Sequence, residues 1–140
     1  MIDADVGQKL KEEFSHLVSP VRLAVFSQAL ADPESEQVRR LVEEVGSFDP
    51  KVKVESYNFV LDKDRVEALG ISRIPAIAIL GEEKDYGIRM YGAPSGYEFG
   101  TLIEGILDVS RGESGLAPET RTALGAVSKD VRIQVFSTPT

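Results

Sequence analysis

A seven-residue segment occurs twice in this chain. Residues 21–27 read Val-Arg-Leu-Ala-Val-Phe-Ser and residues 131–137 read Val-Arg-Ile-Gln-Val-Phe-Ser, so five of the seven positions are identical. Apolar residues before the two copies also correspond at the same offset of 110 residues: Phe14 with Leu124, and Leu17 with Val127. This pattern predicts one complete unit followed by the first helix and strand of a second unit. We therefore expect the chain to stop within a repeat, with part of its function beyond the last residue.

The composition of the chain excludes several classes of partner. Twenty-three acidic residues against 16 basic ones give a net charge of −7, which repels nucleic acid and anionic membranes. No apolar run reaches the length of a membrane span. The acidic start of the chain lacks the features of a signal peptide, so we expect a cytoplasmic protein. Without cysteine, the chain has no disulfide, no thiolate nucleophile and no thiolate metal ligand.

Apolar periodicity and turn residues predict the order α-β-α-β-α-β-β-α, followed by α-β. We expect helices over about 5–17, 33–46, 63–69 and 97–109, and strands over about 21–26, 52–59, 76–80 and 86–91. The early β-α-β pair predicts parallel strands, and the later hairpin predicts an antiparallel pair in the same mixed sheet. Residues 1–111 then form one α/β unit, residues 112–117 a linker, and residues 118–140 the start of a second unit.

Segments along nearly the whole chain carry a resemblance to a known family. The most distinctive are Gly92-x-Pro94-x-Gly96-x-Glu98-Phe99 and the terminal Val135-Phe136-x-Thr138-Pro139-Thr140. On these segments the chain resembles the N-terminal unit of the protein disulfide oxidoreductases of thermophiles, glutaredoxin-like proteins that join two thioredoxin units. The N-terminal domain of the alkyl hydroperoxide reductase flavoprotein is similar at a greater distance. The resemblance implies a thioredoxin-like fold, with a mixed central sheet flanked by helices.

The chain departs from this family at the redox site. The resemblance places the family's Cys-x-x-Cys at Asp32-Pro33-Glu34-Ser35, where neither end residue is a thiol. Thiol–disulfide exchange requires a thiolate that attacks and a second thiol that resolves the mixed disulfide. We therefore predict a redox-inactive unit that needs no cofactor. In the family, the second Cys-x-x-Cys follows the Thr-Pro-Thr found at residues 138–140, so the active cysteines are expected just beyond this chain.

The resemblance also implies a substrate-binding position at Ile74-Pro75. In thioredoxin folds the corresponding peptide bond is cis, and the residue before the proline offers its backbone to an extended polypeptide. The alternative is that Pro75 only shapes the turn into the next strand. Both interpretations stay open at this point. The expected partners are the second unit of the same protein and extended polypeptide substrates, and pairing with another copy of the chain stays open.

Hydrolytic or metal chemistry at Asp32, Glu34 and Ser35 is a further hypothesis, but the sequence names no base beside Ser35. Asp32 reads more simply as the N-cap of a helix that begins at Pro33. The single histidine, His16, is expected near a helix end, in a structural or solvated position.

Two other segments are interpreted structurally. Asp62 and Asp64 lie at the start of a short helix, where capping explains them better than cation binding, and we expect no metal site. The segment 92–96 lacks the lysine of a phosphate-binding loop and is expected to be a turn. The remaining hypothesis is a stand-alone, cysteine-less thioredoxin-like module that binds peptides or has a structural role.

Overall fold

The computed structural model describes residues 1–138, and in this range the chain forms five helices and four strands. In chain order they are α1 (Ala4–Phe14), β1 (Val21–Ser27), α2 (Pro33–Gly46), β2 (Val52–Asn58), α3 (Lys63–Ala68), β3 (Ala76–Gly81), β4 (Ile88–Tyr91), α4 (Tyr97–Arg111) and α5 (Pro118–Gly125). This order matches the prediction as far as α5. None of these helices combines the length and apolar character needed to cross a membrane.

The four strands form one mixed sheet in the order β2-β1-β3-β4. β1 is parallel to β2 and antiparallel to β3, and β3 is antiparallel to β4. The parallel pair is joined through α2, and the antiparallel pair β3–β4 through a hairpin that pairs Ile79 with Ile88. The predicted mixed sheet is therefore confirmed.

The two faces of the sheet carry different side chains because residues alternate along a strand. Val21, Leu23 and Val25 of β1 point into the larger core, which also contains apolar side chains of α1, α2 and α4. Ala24 and Phe26 point to the other face, where the smaller core is covered by α3 and the segment after it. The sheet thus lies between α1, α2 and α4 on one face and the short helix α3 on the other, with β1 buried on both faces.

Two helix ends have identifiable causes. Helix α2 ends at Gly46, as predicted, and Ser47 caps it in a right-handed conformation. A Cβ on Gly46 would lie 2.4 Å from Cγ2 of Val54, so glycine is needed there for close packing of α2 on β2. Helix α1 ends at Phe14, before the expected Leu17, because Ser15 caps it with a hydroxyl bond to the Glu12 carbonyl at 2.6 Å.

Ser110 ties the end of α4 to the loop that leads into β1. Its buried hydroxyl accepts hydrogen bonds from the N–H groups of Val18 at 2.9 Å and Ser19 at 3.1 Å, and it donates to the Ser19 carbonyl at 2.8 Å. All three partners are more than 90 residues away along the chain. One side chain therefore fixes where β1 starts.

Of the helix and strand predicted for residues 118–140, the described residues form only the helix. Helix α5 is present and buries none of its residues. Residues 131–137, predicted as a strand, form none and are exposed. They pair with no strand of the sheet, and a strand needs a neighbour for its N–H and C=O groups. Pro139 and Thr140, which complete the Thr-Pro-Thr segment, lie outside the described residues.

An ion pair links β1 to β2 on the face of the smaller core. Nε and Nη2 of Arg22 donate to the two carboxylate oxygens of Glu55 at 2.9 and 3.1 Å. Tyr57 also donates its hydroxyl to Glu55, at 3.2 Å. The hydrogen bonds from Arg22 hold the pKa of Glu55 below its ordinary value. The carboxyl of Asp85 has a lowered pKa for the same reason, through its hydrogen bonds to Arg89.

We expect acid to destabilise the fold through Glu55. Its pKa is lower in the folded chain than in the unfolded chain, where a glutamate titrates near about 4.3. Its contribution is therefore complete above the unfolded pKa and is lost as the pH falls through the folded pKa. Urea unfolding at a series of pH values should show that Glu55→Gln loses less free energy of unfolding below pH ~4 than the unchanged protein does.

At neutral pH, Glu55→Gln should lower the free energy of unfolding by about 1 kcal/mol or less, because the side chains of Arg22 and Glu55 are 29% and 30% exposed to solvent. Glu13→Gln, at an exposed position on α1, is the matched control and should keep the pH profile of the unchanged protein. If Glu55→Gln lost as much stability in acid as the unchanged protein, Glu55 would not be the source of the acid sensitivity.

Candidate functional site

Four strand ends meet at one edge of the sheet, which we call the site edge. Because of the strand directions, it contains the carboxyl ends of β1, β2 and β4 and the amino end of β3. The register that pairs Phe26 with Ala76 places the end of β1 beside the residue that precedes β3. The four sequence-predicted site residues all lie in segments at this edge: Asp32, Ser35, Ile74 and Pro75.

Ser35 closes the loop between β1 and α2. Its side chain is fully buried, and its hydroxyl accepts a hydrogen bond from the N–H of Gln28 at 2.9 Å and donates to the carbonyl of Asp32 at 2.9 Å. The loop is closed further by the N–H of Asp32, which donates to the Gln28 carbonyl at 2.9 Å. The Ser35 hydroxyl therefore has a structural role, because it both donates and accepts a hydrogen bond within the loop. This geometry does not favour the hydrolytic hypothesis, which requires a base beside Ser35.

Asp32 is the N-cap of α2, as the sequence predicts. Its carboxylate accepts from the N–H of Ser35 at 3.4 Å, and Pro33 occupies the first helical position. One turn later, hydrogen bonds from Arg39 and then Arg40 lower the pKa of Glu36 to about 2. The carboxyl of Glu36 is therefore ionised at neutral pH, near the positive end of the helix dipole, which favours negative charge.

The Ile74–Pro75 peptide bond is cis. Pro75 is buried and Ile74 is half-buried. The Pro75 carbonyl accepts from the N–H of Gly92 at 3.0 Å, which ties it to the turn after β4. Neither the N–H nor the carbonyl of Ile74 has a hydrogen-bond partner within residues 1–138. This residue therefore presents one backbone donor and one backbone acceptor at the site edge.

Side chains of β4 hold the segment before Ile74 in place. The Tyr91 hydroxyl accepts from the N–H of Ser72 at 3.4 Å, and this bond lowers its pKa. Arg89 donates from Nε to the Leu69 carbonyl at 2.9 Å, and the guanidinium of Arg73 lies 4.3 Å from the centre of the Tyr91 ring. These roles are not predicted from the sequence, although the alternation along β4 places Arg89 and Tyr91 on one face of the strand.

The other candidate residues do not assemble into a reactive centre. Among residues 1–138, no group of three or more His, Asp or Glu side chains could hold a metal ion. Asp62 occupies the N-cap position of α3, but it makes no capping bond. The capping prediction is wrong for its side chain, which turns back and accepts from the N–H of Asn58 at 2.6 Å.

His16 and the glycine-rich turn also have simple structural positions. His16 is exposed between α1 and β1, at the opposite edge of the sheet from the site edge. The segment 92–96 is a turn, in which Gly92 and Gly96 have positive φ values of 86° and 56°. Residues with a Cβ are strained at such φ values, so the backbone conformation alone accounts for glycine at both positions.

The comparison of sequences finds a curated relative of much greater length. The alkyl hydroperoxide reductase protein AhpF of Staphylococcus aureus is 23% identical over 124 residues, which cover 89% of this chain and 21% of the relative. The chain therefore spans only a small part of that protein. No protein-family model matches the chain.

Solved structures extend the similarity. A protein disulfide oxidoreductase from Aeropyrum pernix k1 has a TM-score of 0.78 at 29% identity, over 90% of this chain and 56% of that chain. The NTD_N/C domain of the alkyl hydroperoxide reductase AhpF from Enterococcus faecalis has a TM-score of 0.81 at 24% identity, over 92% of this chain and 62% of that chain. A thioredoxin from Halobacterium salinarum has a TM-score of 0.52 at 17% identity, over 71% of this chain and 84% of that chain.

These similarities confirm the fold and the resemblance predicted from the sequence. The chain has a thioredoxin-like α/β fold. Over most of its length it resembles part of a protein disulfide oxidoreductase and the N-terminal domain of AhpF. Its site edge carries a buried hydroxyl and a helix-capping carboxylate at the start of α2, and the chain contains no cysteine.

We expect Ser35→Ala to destabilise the protein by about 1–2 kcal/mol. The substitution removes the acceptor of the Gln28 N–H and the donor to the Asp32 carbonyl, and a polar group left without its partner at a partly buried position costs about this much. Urea unfolding measures the change. Ser128→Ala, at an exposed position, is the matched control and should change stability by less than about 0.5 kcal/mol. Equal stability of the two variants would show that Ser35 does not hold the loop.

Proposed function

We propose that this chain is the redox-inactive N-terminal unit of a protein disulfide oxidoreductase. In this proposal residues 1–111 form the inactive unit, residues 112–117 the linker, and residues 118–140 the start of a second thioredoxin-like unit. The second unit carries a Cys-x-x-Cys just beyond residue 140 and performs the thiol–disulfide exchange. The first unit docks against the second and orients it, in a cytoplasmic protein.

One observation carries this proposal: the chain aligns over 90% of its length with only 56% of a protein disulfide oxidoreductase. The remaining part of such a protein has room for a second unit. The segment at residues 131–137 supports the same arrangement, because its sequence repeats that of β1, an inner strand of the first sheet.

The structure of the site edge supports the absence of redox chemistry in this unit. The two positions that the family resemblance assigns to cysteines hold Asp32 and Ser35, which cap α2 and close its loop. Neither group can form the mixed disulfide that exchange requires. The scaffold around them is otherwise complete, with the cis Pro75 beside the end of β1.

A second candidate function is peptide binding without redox chemistry, and the unpaired backbone of Ile74 favours it. An extended polypeptide lying beside Ile74 would pair with its N–H and carbonyl, in the way a strand adds to a sheet edge. This function needs no thiol. It is compatible with the chain as a stand-alone module or as part of a longer protein.

The first candidate predicts that cysteines restore exchange in this unit. The double variant Asp32→Cys/Ser35→Cys places a thiol at the N-terminus of α2, where the helix dipole favours its thiolate. We expect this variant to accelerate the reduction of insulin by dithiothreitol, and alkylation to abolish the effect. The unchanged chain and Asp32→Ser should leave the rate at that of dithiothreitol alone.

The same assay tests the longer protein. The full-length protein, in which a second unit is present, should reduce insulin disulfides, and alkylation of its thiols should remove the activity. A full-length protein without activity, or one whose intact mass equals that of 140 residues, would reject the first candidate.

The second candidate predicts binding in the complete absence of thiols. We expect the unchanged chain to bind reduced, alkylated insulin B chain in an isothermal titration, and the backbone amide signal of Ile74 to shift in ¹⁵N spectra because its N–H gains a partner. The amide signal of His16, at the opposite edge of the sheet, is the control and should stay in place. Heat of binding without a shift at Ile74 would reject this position as the binding site.

A further inference from the structure

Two loops at the site edge carry exposed aliphatic side chains that neither candidate function uses. Leu30, in the loop after β1, is fully exposed at 101%. Val60 and Leu61, in the loop after β2, are 45% and 79% exposed. We call these three residues the aliphatic ridge. Single exposed apolar residues are ordinary on protein surfaces, so the significance of the ridge depends on how its residues are held and on their surroundings.

The two loops leave the sheet side by side. β1 and β2 are parallel, and their last residues, Ser27 and Asn58, are paired in register. The N–H of Phe59 still donates to the Ser27 carbonyl at 3.0 Å, one residue past the end of β2. Neighbouring strands lie about 4.8 Å apart. The ridge residues therefore belong to adjacent segments of one surface.

Each loop is fixed by its own hydrogen bonds. Ser35 holds the first loop, as described above. In the second loop, the Asn58 side-chain oxygen accepts from the N–H groups of Val60 at 2.9 Å and Leu61 at 3.0 Å. The Asp62 N–H donates to the Asn58 carbonyl at 2.9 Å. The backbone is thus ordered while the aliphatic side chains point to solvent, which lowers the entropy cost of binding a partner.

The charges around the ridge are mostly negative. Asp32 and Glu34 lie at the start of α2, and Asp62 and Asp64 at the start of α3. Within residues 28–34 and 59–65 these four carboxylates outnumber the two cationic residues, Lys63 and Arg65. A second copy of the chain would bring the same negative charge and would be repelled, as would nucleic acid and anionic lipid.

We propose that the aliphatic ridge is an interaction surface for a basic polypeptide that alternates aliphatic residues with lysine or arginine. Leu30 and Leu61 supply the apolar contact, and the carboxylates beside them pair with the cationic side chains of the partner. Complementary charge of this kind raises the association rate and selects the partner. This surface is distinct from the Ile74 backbone, and it does not depend on the redox chemistry proposed for a longer protein.

The test uses a fluorescent peptide in which leucine alternates with lysine, and measures its anisotropy as the 140-residue chain is added. We expect saturable binding at physiological ionic strength that weakens as salt is added. A peptide in which leucine alternates with glutamate should not bind, because the acidic rim repels it. Equal binding of the two peptides would overturn the proposal.

Substitutions in the aliphatic ridge test whether the peptide binds there. Leu30→Ser/Leu61→Ser should weaken binding at least about tenfold, because two apolar contacts are lost. Leu116→Ser/Leu124→Ser, at exposed leucines outside the site edge, is the matched control and should bind as the unchanged chain does. Unaltered binding by the first variant, or equal weakening by both, would overturn the proposal. Thermal unfolding checks that each variant is folded.

The same titration separates this surface from the second candidate function. The lysine peptide should shift the backbone amide signals of Leu30 and Leu61 in ¹⁵N spectra, where the proposed contact lies. Shifts confined to Ile74 and its neighbours would overturn the ridge and leave peptide binding at Ile74 in place. Shifts at Leu30 and Leu61 without one at Ile74 would support the ridge as a separate surface.

Discussion

The backbone pairing of β1 is the constraint on which the rest of the structure depends. β1 is hydrogen-bonded to a parallel strand on one edge and to an antiparallel strand on the other, and its side chains are buried on both faces of the sheet. Such a strand cannot shift by one residue, because every core side chain would then change face. Its last residue, Ser27, therefore sets the point from which the site loops start, and Pro75 is positioned by the neighbouring strand.

The central features of this fold could be predicted from the sequence because they follow from local patterns. The apolar run at residues 21–26 predicts a buried strand, and Asp32-Pro33 predicts the start of α2. The features that could not be predicted depend on contacts between distant residues. Ser110 holds a loop more than 90 residues away, and Gly46 is small because of a valine on the next strand. A sequence without an alignment carries no signal for either contact.

The candidate site also has features that follow from the sequence and features that do not. Its location was predicted from the resemblance, and the cap at Asp32 from the residue type. The roles of Ser35 and Asp62 were not, since each side chain bonds to a loop whose shape is not evident in the sequence. Both residues turn toward the preceding strand end and fix it. These hydrogen bonds give the two loops at the site edge a defined shape.

The Ser110 contact also determines how mechanical force passes through the molecule. Tension applied to the C-terminal segment reaches the folded unit at the end of α4, where Ser110 transfers it to the loop before β1. This is the opposite end of β1 from the site edge, at a distance of about 23 Å for a strand of seven residues. The load therefore enters the folded unit at the start of the central strand, and the site loops lie at the other end of that strand.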